Sequence, residues 1–155
     1  MKYDKIIFVC TRNTFLSPVA EAMFRAKAPS WMPASCSRGL VVLFQEPINP
    51  KVNLILTKYN IGISKHQFSR QIEPEDITER TLLLTMTLSE KVQLLEMFEG
   101  IECVYTVGEY TGTETDILDP CGEGEEAYSS CCEDLLKRID LVVNCIEQEC
   151  NASSV

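Results

Sequence analysis

Cys10 closes the apolar run "IIFVC", and the stretch "TRNTFL" separates it from Ser17-Pro18. A cysteine ending a buried strand, then a polar loop, then a helix start brings a thiol and a helix N-terminus to one small volume. The backbone N–H groups of Thr11, Arg12, Asn13, Thr14, Phe15, Leu16 and Ser17, together with the positive helix end, would cradle a phosphate-sized anion. The same field lowers a thiol pKa and favours the thiolate, the nucleophilic form. The Ser17 hydroxyl is expected to donate to that sulfur as well as to cap the helix.

These residues need a scaffold, and hydrophobic patterning supplies one. Residues 4–10, "DKIIFVC", read as a strand buried on both faces. Ser17 as N-cap with Pro18 at the first helical position opens a helix through "VAEAMFRAKA". Further strands are expected at 35–40, 81–86 ("TLLLTM") and 102–107 ("ECVYTV"). Asn49-Pro50 repeats the cap-then-proline signature, predicting a helix to about Tyr59 that Gly62 stops, and "LSEKVQLLEMF" reads as another. Residues 108–124, rich in Gly, Thr and acids, are expected to form one long loop, and long ordered loops are usually functional. Tyr128, Cys131, Leu135, Ile139, Val142, Val143 and Ile146 recur at helical spacing over the last element. The pattern predicts an α/β three-layer sandwich, a central four-stranded parallel sheet flanked by helices, in a single domain over 1–150 with a frayed tail at 151–155. Ligands in such a fold sit at the carboxyl ends of the strands, where Cys10 lies.

Composition narrows the chemistry. The chain of 155 residues is 45% apolar, enough for a proper core. Its apolar runs are too short to cross a bilayer, and "MKYDKIIFVC" makes no secretion signal, so a cytoplasmic location is expected. The eight cysteines include no C-x-x-C pair, and His66 is the single histidine. No metal, cofactor or disulfide framework is therefore expected, and most thiols read as reduced packing residues. The net charge of −9 is divided: residues 1–70 carry ten Lys and Arg against three acids, +7, and residues 71–155 four against twenty, −16. The halves are expected to neutralise one another on folding; the sharper alternative is that the basic half surrounds an anion site. Lys65, His66 and Arg70 read as surface residues. No basic cluster with interleaved aromatics suggests nucleic acid.

The Cys10 stretch resembles the signature of the low-molecular-weight protein tyrosine phosphatases: a Cys, five residues, an Arg, then Ser-Pro opening the first helix. Cys10, Asn13, Ser17 and Pro18 fall in register, and "AEAMF" follows. "NPKVNLILTKYNIGISKHQFSRQI", "LLLTMT" and "ILDPCGEGEEAYSSC" resemble later family segments in order and spacing, so the likeness runs from about Met1 to about Ile146. It implies hydrolysis of phosphotyrosine or a small aryl phosphate through a phosphocysteine intermediate. Cys10 would match the nucleophile, Asn13 the residue that shapes the loop at positive φ, and Ser17 the hydroxyl that steadies the thiolate. Asp119, before Pro120, would match the general acid, a role that a carboxyl on a mobile loop can physically fill. A lone Asp-Pro would otherwise mark a turn. Inorganic phosphate or sulfate in the loop, no nucleic acid or membrane, and a monomer or weak dimer are the matching expectations.

The departures concentrate in the loop. Leu16 occupies the position of the family's Arg, whose bidentate grip on phosphate tightens as charge spreads in the transition state. By analogy with other arginines in phosphoryl transfer, its loss costs roughly 10³–10⁵ in rate, or about 4–7 kcal/mol. Phe15 replaces a frequent second Cys, Arg12 a glycine, and Cys121 an aromatic. Arg12 sits in a loop whose amides point inward, so its side chain is expected to face outward. Three readings follow: a phosphatase of weak or lost activity, an inactive pseudophosphatase that binds phosphate, a phosphoprotein or a protein partner, and, distantly, an arsenate-reductase-like thiol enzyme. The last needs two relay cysteines after the third strand, and residues 81–100 contain none.

Overall fold

A computed structural model describes residues 2–62 and 67–153. Four parallel strands, β1 (Lys5–Cys10), β2 (Ala34–Gly39), β3 (Thr81–Thr85) and β4 (Val104–Thr106), form one sheet in the order β2-β1-β3-β4. The central strands β1 and β3 are the most continuously apolar, because both of their faces are covered. Alternation along β1 divides the core in two. Ile6, Phe8 and Cys10 join the large cluster formed with α1 (Leu16–Lys27), α2 (Lys51–Lys58) and α5 (Glu125–Ser153). Ile7 and Val9 pack on the other face with Leu83, Val104 and Leu94 of α3 (Leu88–Met97). The expected three-layer α/β architecture is the one observed. No helix among the described residues is long and apolar enough to cross a membrane.

Several local expectations change. Part of the expected 108–124 loop is a short helix, α4 (Val107–Thr111), which also shortens β4. Thr106 and Glu109 exchange backbone-to-side-chain hydrogen bonds of 2.9 Å in each direction, and Gly112, at φ 76°, ends the turn. The stop of α2 is Asn60 at φ 58° rather than Gly62; Asn tolerates that left-handed conformation, and the Ile61 amide closes on the Leu56 carbonyl at 2.8 Å. Helix α5 continues through Ser153.

Basic residues of the first half meet acids of the second in Lys2–Glu149 (3.4 Å), Lys27–Asp140 (2.9 Å) and Arg38–Asp76 (3.2 Å). The opposed charges of the two halves thus pair within one fold. Arg70 is exposed; Lys65 and His66 lie outside the described residues. All eight cysteines are free thiols.

Candidate functional site

Cys10 is the last residue of β1, paired with Gly39 at the end of β2, and its side chain is 4% exposed. The chain then turns over Gly39 so closely that a Cβ there would lie 3.0 Å from Asn13 Cβ and 3.2 Å from the Arg12 carbonyl carbon. Asn13 stands at φ 58°, fully buried, and works as a hub. Its Nδ2 donates to Ser17 Oγ (2.7 Å) and Ser37 Oγ (3.1 Å), and its Oδ1 accepts from the Arg70 amide (2.9 Å). The Asn13 amide in turn points at Cys10 Sγ, 3.3 Å away. The Asn13 amide is thus one donor of the loop that faces the sulfur.

The start of α1 differs from expectation. The helix begins at Leu16, with Phe15 as N-cap and no side chain capping it, so Ser17 and Pro18 lie inside the first turn. Proline is tolerated there because its missing N–H would have no intrahelical partner. Ser17 Oγ lies 3.0 Å from Cys10 Sγ and accepts from Asn13, which leaves its own hydrogen for the sulfur. The Ser17 amide also faces the thiol.

Burial nevertheless dominates at the sulfur. Desolvation pushes the Cys10 thiol pKa up, against the lowering effect of the Ser17 and Asn13 donors, and the nearby Glu90 carboxylate pushes it further. The lowered pKa expected from the helix field is therefore reversed. A guanidinium is what would have offset burial. Leu16 instead presents hydrocarbon, 2% exposed, within the core.

A cavity of ≈ 260 Å³ opens beside Cys10, lined also by Thr11, Arg12, Leu16, Glu90 and Asp119. Among the described residues lining it, Arg12 is the sole cation. Its guanidinium forms a forked pair with Glu46 (3.1 and 2.9 Å), its side chain being 60% exposed, so it faces outward as expected. Asp119 is exposed at the rim and accepts from the Cys121 amide at 2.9 Å. Asn13, Thr14 and Phe15 do not line the cavity. The Thr14 carbonyl accepts from the Asn49 amide (2.8 Å), and Phe15 is buried edge-on against Tyr128 of α5, with ring centroids 5.0 Å apart. These contacts fix the loop from below. A larger cavity, ≈ 410 Å³, lies around Thr81, Gly100 and Cys103 at the amino ends of β3 and β4, away from the thiol and the helix N-terminus.

Glu90 is the residue sequence reasoning missed. Its signal was local: "TLSE", residues 87–90, is a capping box behind an apolar strand. Glu90 Oε1 accepts from the Thr87 amide (3.0 Å) and Oε2 from the Thr11 hydroxyl (2.8 Å).

Residues 5–152 match the family model described as low molecular weight phosphotyrosine protein phosphatase. The chain is 32% identical to the low molecular weight protein-tyrosine-phosphatase PtpB of Staphylococcus haemolyticus, over 85% of this chain and 92% of that protein. It is 30% identical to a protein-arginine-phosphatase of Geobacillus stearothermophilus, over 94% and 97%. Among solved structures, a low molecular weight protein tyrosine phosphatase from T. tengcongensis superposes with a TM-score of 0.82 at 31% identity, covering 90% of this chain and 97% of that one.

Proposed function

The chain belongs to the low molecular weight phosphotyrosine protein phosphatase family, and from that membership we propose that it hydrolyses phosphomonoesters through Cys10 at a severely reduced rate, or not at all. The observation that carries the reduction is Leu16, apolar and buried where the family's Arg grips phosphate. In the proposed reaction the Cys10 thiolate attacks phosphorus, the bond from phosphorus to the aryl oxygen breaks, and protonated Asp119 gives its proton to the leaving oxygen. Water then attacks the phosphocysteine, Asp119 takes up a water proton, and the S–P bond breaks to release phosphate and the thiolate. The cradle around Cys10 and the presence of Asp119 on the same cavity support these roles.

A pseudophosphatase, holding phosphate, a phosphoprotein or a protein partner without turnover, is the second reading. Burial that keeps the Cys10 thiol protonated favours it. The ligand class is a phosphotyrosine protein or small aryl phosphate, and the Geobacillus relative adds phosphoarginine as a class to assay. We place the protein in the cytoplasm, as one domain, monomeric or weakly dimeric.

The deciding measurement is kcat/KM on an aryl phosphate and on phosphoarginine, for the parent, Cys10→Ser and the Staphylococcus haemolyticus relative side by side. The parent is expected to fall below that relative by roughly 10³–10⁵, with any residual rate abolished in Cys10→Ser. A Cys10-dependent rate within about tenfold of the relative overturns the proposal.

A further inference from the structure

Glu90 comes to the cradle from the first turn of α3, and 7% of it is exposed. Its Oε1 accepts from the Met86 amide (3.2 Å) and the Thr87 amide (3.0 Å), and its Oε2 from the Thr11 hydroxyl (2.8 Å), while the Thr11 amide faces it as well. Thr11 is the first residue after the thiol. In a loop whose donors ring an oxyanion, its hydroxyl and amide are already turned to a resident carboxylate. Carboxylate oxygens accept the same hydrogen bonds as phosphate oxygens, so Glu90 stands in for one edge of a bound anion.

The charge matters as much as the hydrogen bonds. A dianion entering the cavity meets Glu90 on one side and Asp119 at the rim, with hydrocarbon from Leu16 where the cation belongs and Arg12 held by Glu46. In a partly buried site such like-charge contacts are weakly screened. We infer that Glu90 is a specificity-determining residue that weakens the binding of dianionic oxyanions in the Cys10 cavity, an effect separate from the substitution at Leu16. The inference rests on the reading that this cavity descends from an oxyanion site. A consequence is that an arginine restored at position 16 would pair with Glu90 before it could grip a ligand.

Binding, rather than turnover, tests this. Sulfate affinity is measured by calorimetry for the parent, Leu16→Arg, Glu90→Gln and the double variant, with thermal melts as the check on folding. Glutamine keeps the capping box, because Gln serves at that position as Glu does. Glu90→Gln is expected to tighten sulfate by at least about tenfold in the parent. The gain in the Leu16→Arg background is expected to be larger, since the substitution also frees the new guanidinium. Affinities within about threefold of the starting chain in both backgrounds overturn the inference. Where Glu90→Gln melts early, the parent itself is titrated with sulfate as the pH is lowered, alongside Asp119→Asn. Burial raises the Glu90 pKa, and Cys10 and Arg12 keep their protonation over that range. Sulfate stays a dianion there, so affinity must rise as Glu90 is neutralised, and a flat profile in both chains overturns the inference. Because none of these readouts needs catalysis, failure here leaves the kinetic comparison above intact, and the reverse.

Discussion

Removing the Asn13 side chain gives a sharp test of how the cradle is held. Asn13→Ala deletes the two Nδ2 donations to Ser17 and Ser37 and the Oδ1 acceptor of the Arg70 amide, all buried or part-buried. At about 0.5–1.5 kcal/mol per bond, these three sum to roughly 1.5–4.5 kcal/mol. Alanine must also hold the φ of 58°, a left-handed conformation that costs about 1–2 kcal/mol without a locally bonding side chain. The expected loss is about 2.5–6.5 kcal/mol, which in a domain of this size lowers Tm by roughly 5–25 °C. Urea denaturation gives the number, read as a shift in midpoint at unchanged slope. Asn13→Gly removes the same bonds without the strain, so its loss should be smaller by about 1 kcal/mol. A loss below about 1 kcal/mol for Asn13→Ala would show that the hub does not hold the loop, and equal losses for the two variants would show that the left-handed backbone at position 13 carries no strain for alanine.

Burial of Cys10 predicts slow alkylation by iodoacetamide at neutral pH and a rate still climbing past the point where the urea-unfolded chain has levelled off; a plateau at or below neutral pH contradicts a raised thiol pKa. The same shift has a stability consequence of fixed sign, because the unfolded thiol ionises first as pH rises, so the Cys10 contribution falls above the ordinary thiol pKa. Gly108→Ala tests the loop leading to Asp119: the new Cβ would meet the Thr115 carbonyl oxygen at 2.6 Å, and that oxygen is backbone. A cost of about 1–3 kcal/mol in urea is expected, and a neutral result means the 113–119 segment yields freely.

Much of this protein was legible locally. Continuous apolar runs placed β1 and β3, because a strand covered on both faces has no polar side to show. Helical spacing placed α5, and the order of elements gave the layers and the position of Cys10 at a strand's carboxyl end. Capping boxes at Thr87–Glu90 and Thr106–Glu109 were equally local signals, and the second would have shortened the expected loop. Even the missing guanidinium is a fact of the sequence alone, since Leu16 is read off the chain.

Contacts between distant residues decided the remainder. Thr11 meets Glu90 across 79 positions, Asn13 meets the Arg70 amide across 57, and Arg12 meets Glu46 across 34. No periodicity encodes such pairings; they exist only once the sheet has brought the loops together. The direction of the Cys10 pKa shift belongs to the same class, because it depends on how completely water is removed from the sulfur. Helix position and nearby donors are local and argue for a thiolate. Burial is collective, and it reverses their effect.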